Sequence, residues 1–388
     1  MNSVPYGRHD INQADIDAVV EVLRSDFLTQ GGGVPAFECA VIKYCDVKHA
    51  IAVNSATSAL HIACLALGVG SGDVVWTSPI TFVASANCAL YCGATVDFVD
   101  IDPRTYVLSV ARLAEKLALA EVAGNLPKVV IPVHLCGQSC DMAGIHALGE
   151  KYGFKIIEDA SHAIGGKYKD EPIGNCCYSD ITVFSFHPVK IITTGEGGMA
   201  VTNNTSLAKH MRLLRSHGLT TTVADMQPRP ENEIWNYQQI DLGYNYRMTD
   251  MQAALGLSQM RRLDMFVSQR HDVAQNYLLK LIDIPLTVQW QHTDNFSSYH
   301  LYVIRLQLDK MDRTQRQVYD SLLSEKVLVN LHYIPVYRQP YYVKMGFPVG
   351  YCPEAEKYYS EALSIPMYSG LTMEQQEHVT AAIRRAVV

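Results

Sequence analysis

The segment FKIIEDASHA, at 154–163, joins an apolar, β-branched run from Phe154 to Ile157 to the acidic pair Glu158 and Asp159. Such a run reads as a buried strand, and a carboxylate at its end either faces the ligand edge of an α/β sheet or caps a following helix. Further along, FSFHPVKIITTGEGGM at 184–199 sets Lys190 between apolar neighbours, ahead of the flexible run Thr193-Thr194-Gly195-Glu196-Gly197-Gly198. A lysine withdrawn from water loses basicity, and its neutral amine can attack a carbonyl to form a Schiff base; a lysine left on the surface stays a solvated charge. The third part is Asn54-Ser55-Ala56-Thr57-Ser58-Ala59, small hydroxyl residues where a strand gives way to a helix. Helix N-terminal amides with adjacent hydroxyls can hold a phosphate, although the same residues serve as plain N-caps. Together, a Schiff-base lysine, a strand-end aspartate and a phosphate cradle are the inventory that pyridoxal 5′-phosphate (PLP) requires.

The surrounding pattern supplies a frame for these groups. From about residue 50 to 217, short β-branched runs (HAIAVNS, VVWTS, TVDFVD, KVVIPV, FKIIEDA, ITVFSF) alternate with helical stretches such as ATSALHIACLALG and VARLAEKLALAEVAG. This alternation predicts an α/β fold with a mainly parallel sheet flanked by helices, its ligands at the carboxyl ends of the strands. A long helical pattern from Met251 to about Leu281 then leads to strands such as HLYVIRLQL and helices such as DRTQRQVYDSLLSEK. The expected division is a large domain over 1–250, with an N-terminal arm over 1–33, and a smaller α+β domain over 251–388.

Composition narrows the function. The chain has 388 residues, 48% hydrophobic and 18% charged, which is a globular balance. Its formal charge of -7 gives no general attraction for a polyphosphate backbone or an anionic membrane, so neither nucleic acid nor membrane is an expected partner. The most apolar window, Ile51 to Gly70, is interrupted by Asn54, Ser55, Thr57, Ser58 and His61, and falls short of an uninterrupted span of about 18 residues. Cysteine pairs such as Cys88/Cys92 and Cys136/Cys140 lack the doubled CxxC spacing of a zinc site, so no metal is expected and the thiols read as reduced, mostly buried small residues. The start, MNSVPYGRHDINQADID, has no basic region followed by an apolar one, and a cytoplasmic protein is expected.

PYGR near the start, FLTQG at 27–31, IIEDASHAIGG at 156–166, FSFHPVKIITTGEGGM, LGYNYRMTDMQAALGLSQ at 242–259, HLYVIR at 300–305 and HYIPVYRQPYY at 332–342 resemble the DegT/DnrJ/EryC1/StrS family of nucleotide-sugar aminotransferases, fold-type I PLP enzymes, over essentially the whole chain. The resemblance implies that Lys190 forms the Schiff base with PLP and shuttles the proton, and that Asp159 pairs with the pyridine nitrogen. It puts His162 near the cofactor ring, Ala56, Thr57 and Ser185 on the phosphate, and Phe82 on the cofactor face. Many relatives have Gly-Thr where this chain has Ala56-Thr57, a change that keeps the hydroxyl and the backbone donors. Asn245 matches an asparagine that reaches the phosphate of the neighbouring subunit, which implies a homodimer with shared active sites. Arg247, His332 and Tyr333 are candidates for gripping substrate, and Thr29 and Gln30 for lining the sugar side.

Segments such as VNSATSALHIACLAL, VVWTSPITFVASANCALYCGA and YSDITVFSFHPVKIITTGEGGMA resemble the branch of the family that serves pseudaminic acid biosynthesis. That implies L-glutamate as donor and the C4 ketone of UDP-4-keto-6-deoxy-N-acetyl-β-L-altrosamine as acceptor, with ping-pong kinetics because one lysine serves both halves. Three other readings stand beside it: amination of another keto nucleotide sugar, the family's dehydratase branch, and a non-catalytic PLP-binding regulator. The dehydratase branch has histidine in place of the lysine, and this chain keeps Lys190; the joint presence of Lys190, Asp159, Thr57 and Ser185 argues against a silent relative.

Overall fold

The computed structural model describes residues 3–228, 230, 232 and 236–387. Its central sheet uses β1 (His49–Val53), β2 (Val74–Thr77), β3 (Thr95–Phe98), β4 (Val129–Ile131) and β5 (Lys155–Asp159). The next two strands, β6 (Lys167–Tyr168) and β7 (Glu171–Pro172), form a short hairpin outside it, and β8 (Ile181–Ser185) and β9 (Gly198–Thr202) complete it in the order β1-β9-β8-β5-β4-β2-β3. The run from β3 to β8 is parallel, whereas β9 lies antiparallel between β8 and β1. The expected mainly parallel sheet is therefore present. Every residue of β8 and β9 is buried, as a sheet covered on both faces demands.

Helices Ala56–Ala66, Ala84–Tyr91, Val110–Ala123 and Met142–Tyr152 lie between the parallel strands. Local chemistry sets several of their ends. Side chains of Ser55, Ser109 and Asp141 accept the amides of Ser58, Arg112 and Gly144, while Gly124 and Gly153 end two helices in the left-handed conformation.

The long helical pattern that opens the C-terminal region is two helices, Asp250–Met260 and Leu263–Leu281. Between them Arg262 turns its guanidinium to the carboxylates of Asp10 and Asp15, so the break is held by the N-terminal arm. Beyond lies a three-stranded antiparallel sheet of Leu286–Val288, Tyr302–Leu306 and Ala362–Ile365, covered by helices Gln315–Ser324 and Met373–Val387. Packing runs across the expected division at 250/251. Ala253, Leu263, Phe266 and Val267 share a core with Phe37 and Phe184 of the large part, while Val273, Tyr277 and Leu281 of the same second helix enter the core of the small sheet. Val4 of the arm joins that small core, and Val336, Tyr337 and Tyr342 return to the large one.

Candidate active site

The carboxyl ends of β1, β2, β5 and β8 surround a cavity of about 480 Å³, within the range of small-molecule sites. On β5, alternation of side chains along the strand separates the two acidic residues. Asp159 lines the cavity. Glu158 faces away, accepting from Ser179 and Thr182 and pairing with buried His134 at 2.7 Å. Burial pushes the Glu158 carboxyl up, but these partners overcome it and hold it below its ordinary value. Asp159 is oriented at both oxygens: Oδ2 accepts the Ser85 hydroxyl at 2.6 Å and Oδ1 accepts the Ser161 amide at 3.1 Å.

Lys190 stands in the turn after β8, its amide bonded to the His187 carbonyl at 2.9 Å. Withdrawal from water lowers its pKa to about 8, and the Asp159 carboxylate opposes the drop. A fraction of the amine is thus neutral near physiological pH, which a nucleophile or a proton carrier needs.

The helix Ala56–Ala66 begins at the cavity. Ser55 Oγ accepts the Ser58 amide and the Ser55 carbonyl accepts Ala59, while among the described residues no acceptor is found for the amides of Ala56 and Thr57. These two residues and Ser185 line the cavity. Gly198 makes the close approach behind them: a Cβ there would lie 2.5 Å from the Ala56 nitrogen. Free amides at a helix N-terminus with two hydroxyls nearby suit a dianionic phosphate.

His162, Tyr333, His332 and His300 also line the cavity. His162 Nε2 lies 3.2 Å from Tyr333 Oη, and its ring packs 4.3 Å from that of His300. His332 Nδ1 pairs with Ser364 Oγ at 2.8 Å; burial, together with the charge of Lys190, lowers its pKa to about 4. Phe82 sits on the rim, 60% exposed.

The structure thus brings Ala56, Thr57, Phe82, Asp159, His162, Ser185, Lys190, His332 and Tyr333 to one cavity. Thr29, Gln30, Asn245 and Arg247 are not part of its lining. Thr29, Gln30 and Asn245 are exposed, and Arg247 pairs by its backbone with Val53. Ser85, Tyr6 and His300 are cavity or supporting residues that the sequence reading left without a role. Ser85 lies one helical turn beyond Phe82 in TFVAS, while Tyr6 and His300 stand inside the quoted segments PYGR and HLYVIR, whose spacing gave no chemistry for them.

An amine, an oriented carboxylate and a phosphate cradle in one cavity fit PLP. Among the described residues no grouping of His, Cys, Asp and Glu could hold a metal ion, all ten cysteines are free thiols, and no helix is long and apolar enough to cross a membrane.

The model of the DegT/DnrJ/EryC1/StrS aminotransferase family matches residues 9–384. The chain is 37% identical over 387 residues to the spore coat polysaccharide biosynthesis protein SpsC of Bacillus subtilis, covering 99% of this chain and 97% of that one. It is 36% identical over 386 residues to the UDP-4-amino-4,6-dideoxy-N-acetyl-beta-L-altrosamine transaminase of Campylobacter jejuni, covering 97% and 95%. Among solved structures, Helicobacter pylori PseC, an aminotransferase involved in the biosynthesis of pseudoaminic acid, superposes with a TM-score of 0.89 at 29% identity, covering 100% of this chain and 99% of that one.

Proposed function

The chain belongs to the DegT/DnrJ/EryC1/StrS aminotransferase family and is a PLP-dependent sugar aminotransferase, and from that premise we propose that it moves the amino group of L-glutamate to the C4 ketone of UDP-4-keto-6-deoxy-N-acetyl-β-L-altrosamine. The observation that carries the chemistry is the meeting of Lys190, its pKa lowered to about 8, with the doubly held Asp159 carboxylate in one cavity. The likeness to the altrosamine transaminase and to PseC supports the acceptor.

In this reading Lys190 would hold the cofactor through its Nζ and, once freed, would carry the proton to and from the substrate carbon. Bound PLP supplies an electron sink for the carbanion. Asp159, fixed by Ser85 and Ser161, would keep the ring nitrogen protonated. Ala56, Thr57 and Ser185 would take the phosphate, Phe82 would cover the cofactor face, and His332 would contact substrate. Thr29, Gln30, Asn245 and Arg247 would complete the cavity of a partner subunit in a homodimer. The exposure of Thr29, Gln30 and Asn245, with Phe27 at 64% and Leu242 at 74%, supports that assignment.

The test is optical. L-glutamate should bleach the visible band of the PLP-loaded protein, and after the donor is removed the UDP-linked keto sugar should restore it, whereas its GDP and dTDP counterparts should not. A second reading, amination of a different keto nucleotide sugar, is favoured by the equally high identity to SpsC. Bleaching by glutamate with no restoration by the UDP sugar would select it.

A further inference from the structure

In the wall of the cavity facing Lys190, the direction of each hydrogen bond can be read atom by atom. The Cys136 amide donates to His162 Nδ1 at 3.3 Å, and an amide can only donate, so Nδ1 presents a lone pair. The amide is firmly placed. Cys136 has φ +64°, Gly137 follows at φ +104°, and a Cβ on Gly137 would lie 2.6 Å from Ser298 Oγ. Ser298 Oγ in turn donates to the His162 carbonyl at 2.8 Å. Burial, with Lys190 and His332 nearby, depresses the His162 pKa well below its ordinary value and keeps the ring neutral. A neutral imidazole whose Nδ1 accepts carries its proton on Nε2, so His162 donates to Tyr333 Oη across the 3.2 Å contact. His162 is the hydrogen-bond partner of that hydroxyl among the described residues, and the phenol's own proton remains free. Burial raises the phenol pKa, so the proton stays in place. Tyr333 lines the cavity.

We propose that the Cys136 amide and His162 form a one-way relay that sets the Tyr333 hydroxyl as a donor to a negatively polarised oxygen of the bound ligand, either the ring oxygen of the cofactor or the ketone oxygen of the sugar. The identity of that oxygen rests on the aminotransferase reading; the relay itself does not. His162 is a positioning residue here, because it acts through Tyr333.

Two measurements test the proposal separately. In cofactor-free protein labelled with ¹⁵N-histidine, the His162 signals, identified by their loss in His162→Asn, should show a protonated Nε2 and an unprotonated Nδ1 between about pH 6 and 9. Tyr333→Phe, which identifies the same signals if His162→Asn fails to fold, should move the Nε2 shift and leave Nδ1 in place. A protonated Nδ1, a charged ring or an unmoved Nε2 shift would overturn the relay. The PLP-loaded Tyr333→Phe variant then locates the oxygen. If it belongs to the cofactor, the pH midpoint of the visible band moves by about one unit without any sugar. If it belongs to the sugar, the midpoint stays and kcat/KM for the acceptor falls about tenfold. Neither change would refute the donor role. A wild-type protein that glutamate fails to bleach would instead sink the functional reading and leave the tautomer result intact.

Discussion

Burial and Asp159 act on Lys190 in opposite directions: desolvation favours the neutral amine, and the carboxylate favours the charged one. Desolvation wins and places the pKa at about 8, so the neutral fraction grows as pH rises through that value. The rate at which cofactor-free protein captures PLP should therefore climb between about pH 7 and 9; a flat profile would mean that the amine titrates elsewhere. Lys190→Ala should bind PLP without a covalent link and lose at least about a thousandfold in turnover, measured by single-turnover absorbance with glutamate. Ser85→Ala frees Asp159 Oδ2 from its hydroxyl donor at 2.6 Å and removes about 1 kcal/mol of restraint on the carboxylate. The glutamate half-reaction should slow about tenfold; an unchanged rate would show that the Ser161 amide alone orients Asp159.

At the scale of elements, the proposed phosphate cradle depends on two segments that nearly touch. Gly198 opens β9 against the start of the helix Ala56–Ala66, and a Cβ on it would lie 2.5 Å from both the Ala56 nitrogen and the Ser55 carbonyl carbon. Gly198→Ala must displace the helix start. PLP affinity should fall roughly tenfold or more in a fluorescence titration while the far-ultraviolet circular dichroism is kept. The N-terminal arm is anchored by different physics. Asp15 is fully buried and takes Ser258, Gln259 and Arg262, three groups from the end of helix Asp250–Met260 and the break after it. Asp15→Ala leaves a half-buried guanidinium with one fewer carboxylate, and a loss of about 3 kcal/mol in urea unfolding is expected.

At the scale of the whole molecule, the cavity of one chain contains the amine, the carboxylate and the cradle but not Asn245. If Asn245 serves the partner's phosphate, inactive Lys190→Ala and Asn245→Ala chains should complement when mixed. Random re-pairing puts half the molecules into mixed dimers, each with one intact site, so about a quarter of wild-type activity should return. No recovery would place Asn245 in its own subunit's site or outside the site altogether.

How much was legible follows from how far each signal travels along the chain. The alternating strand and helix pattern, the Asp159 strand end, the Ser55-Ala56-Thr57 helix start and the sheltered Lys190 are local features, written in consecutive residues by hydrophobic period and capping chemistry, and the sequence by itself determined them. The antiparallel β9, the break at Arg262 and the packing across residue 250 depend on partners from distant parts of the chain, such as Asp10 and Asp15. Which of Glu158 and Asp159 faces the ligand was decided by strand alternation once β5 had found its place in the sheet. The orientation of Asp159 by Ser85, and of Tyr333 by His162 and the Cys136 amide, was decided only by the tertiary structure, because a hydrogen bond between remote residues leaves no period or spacing in the sequence to read.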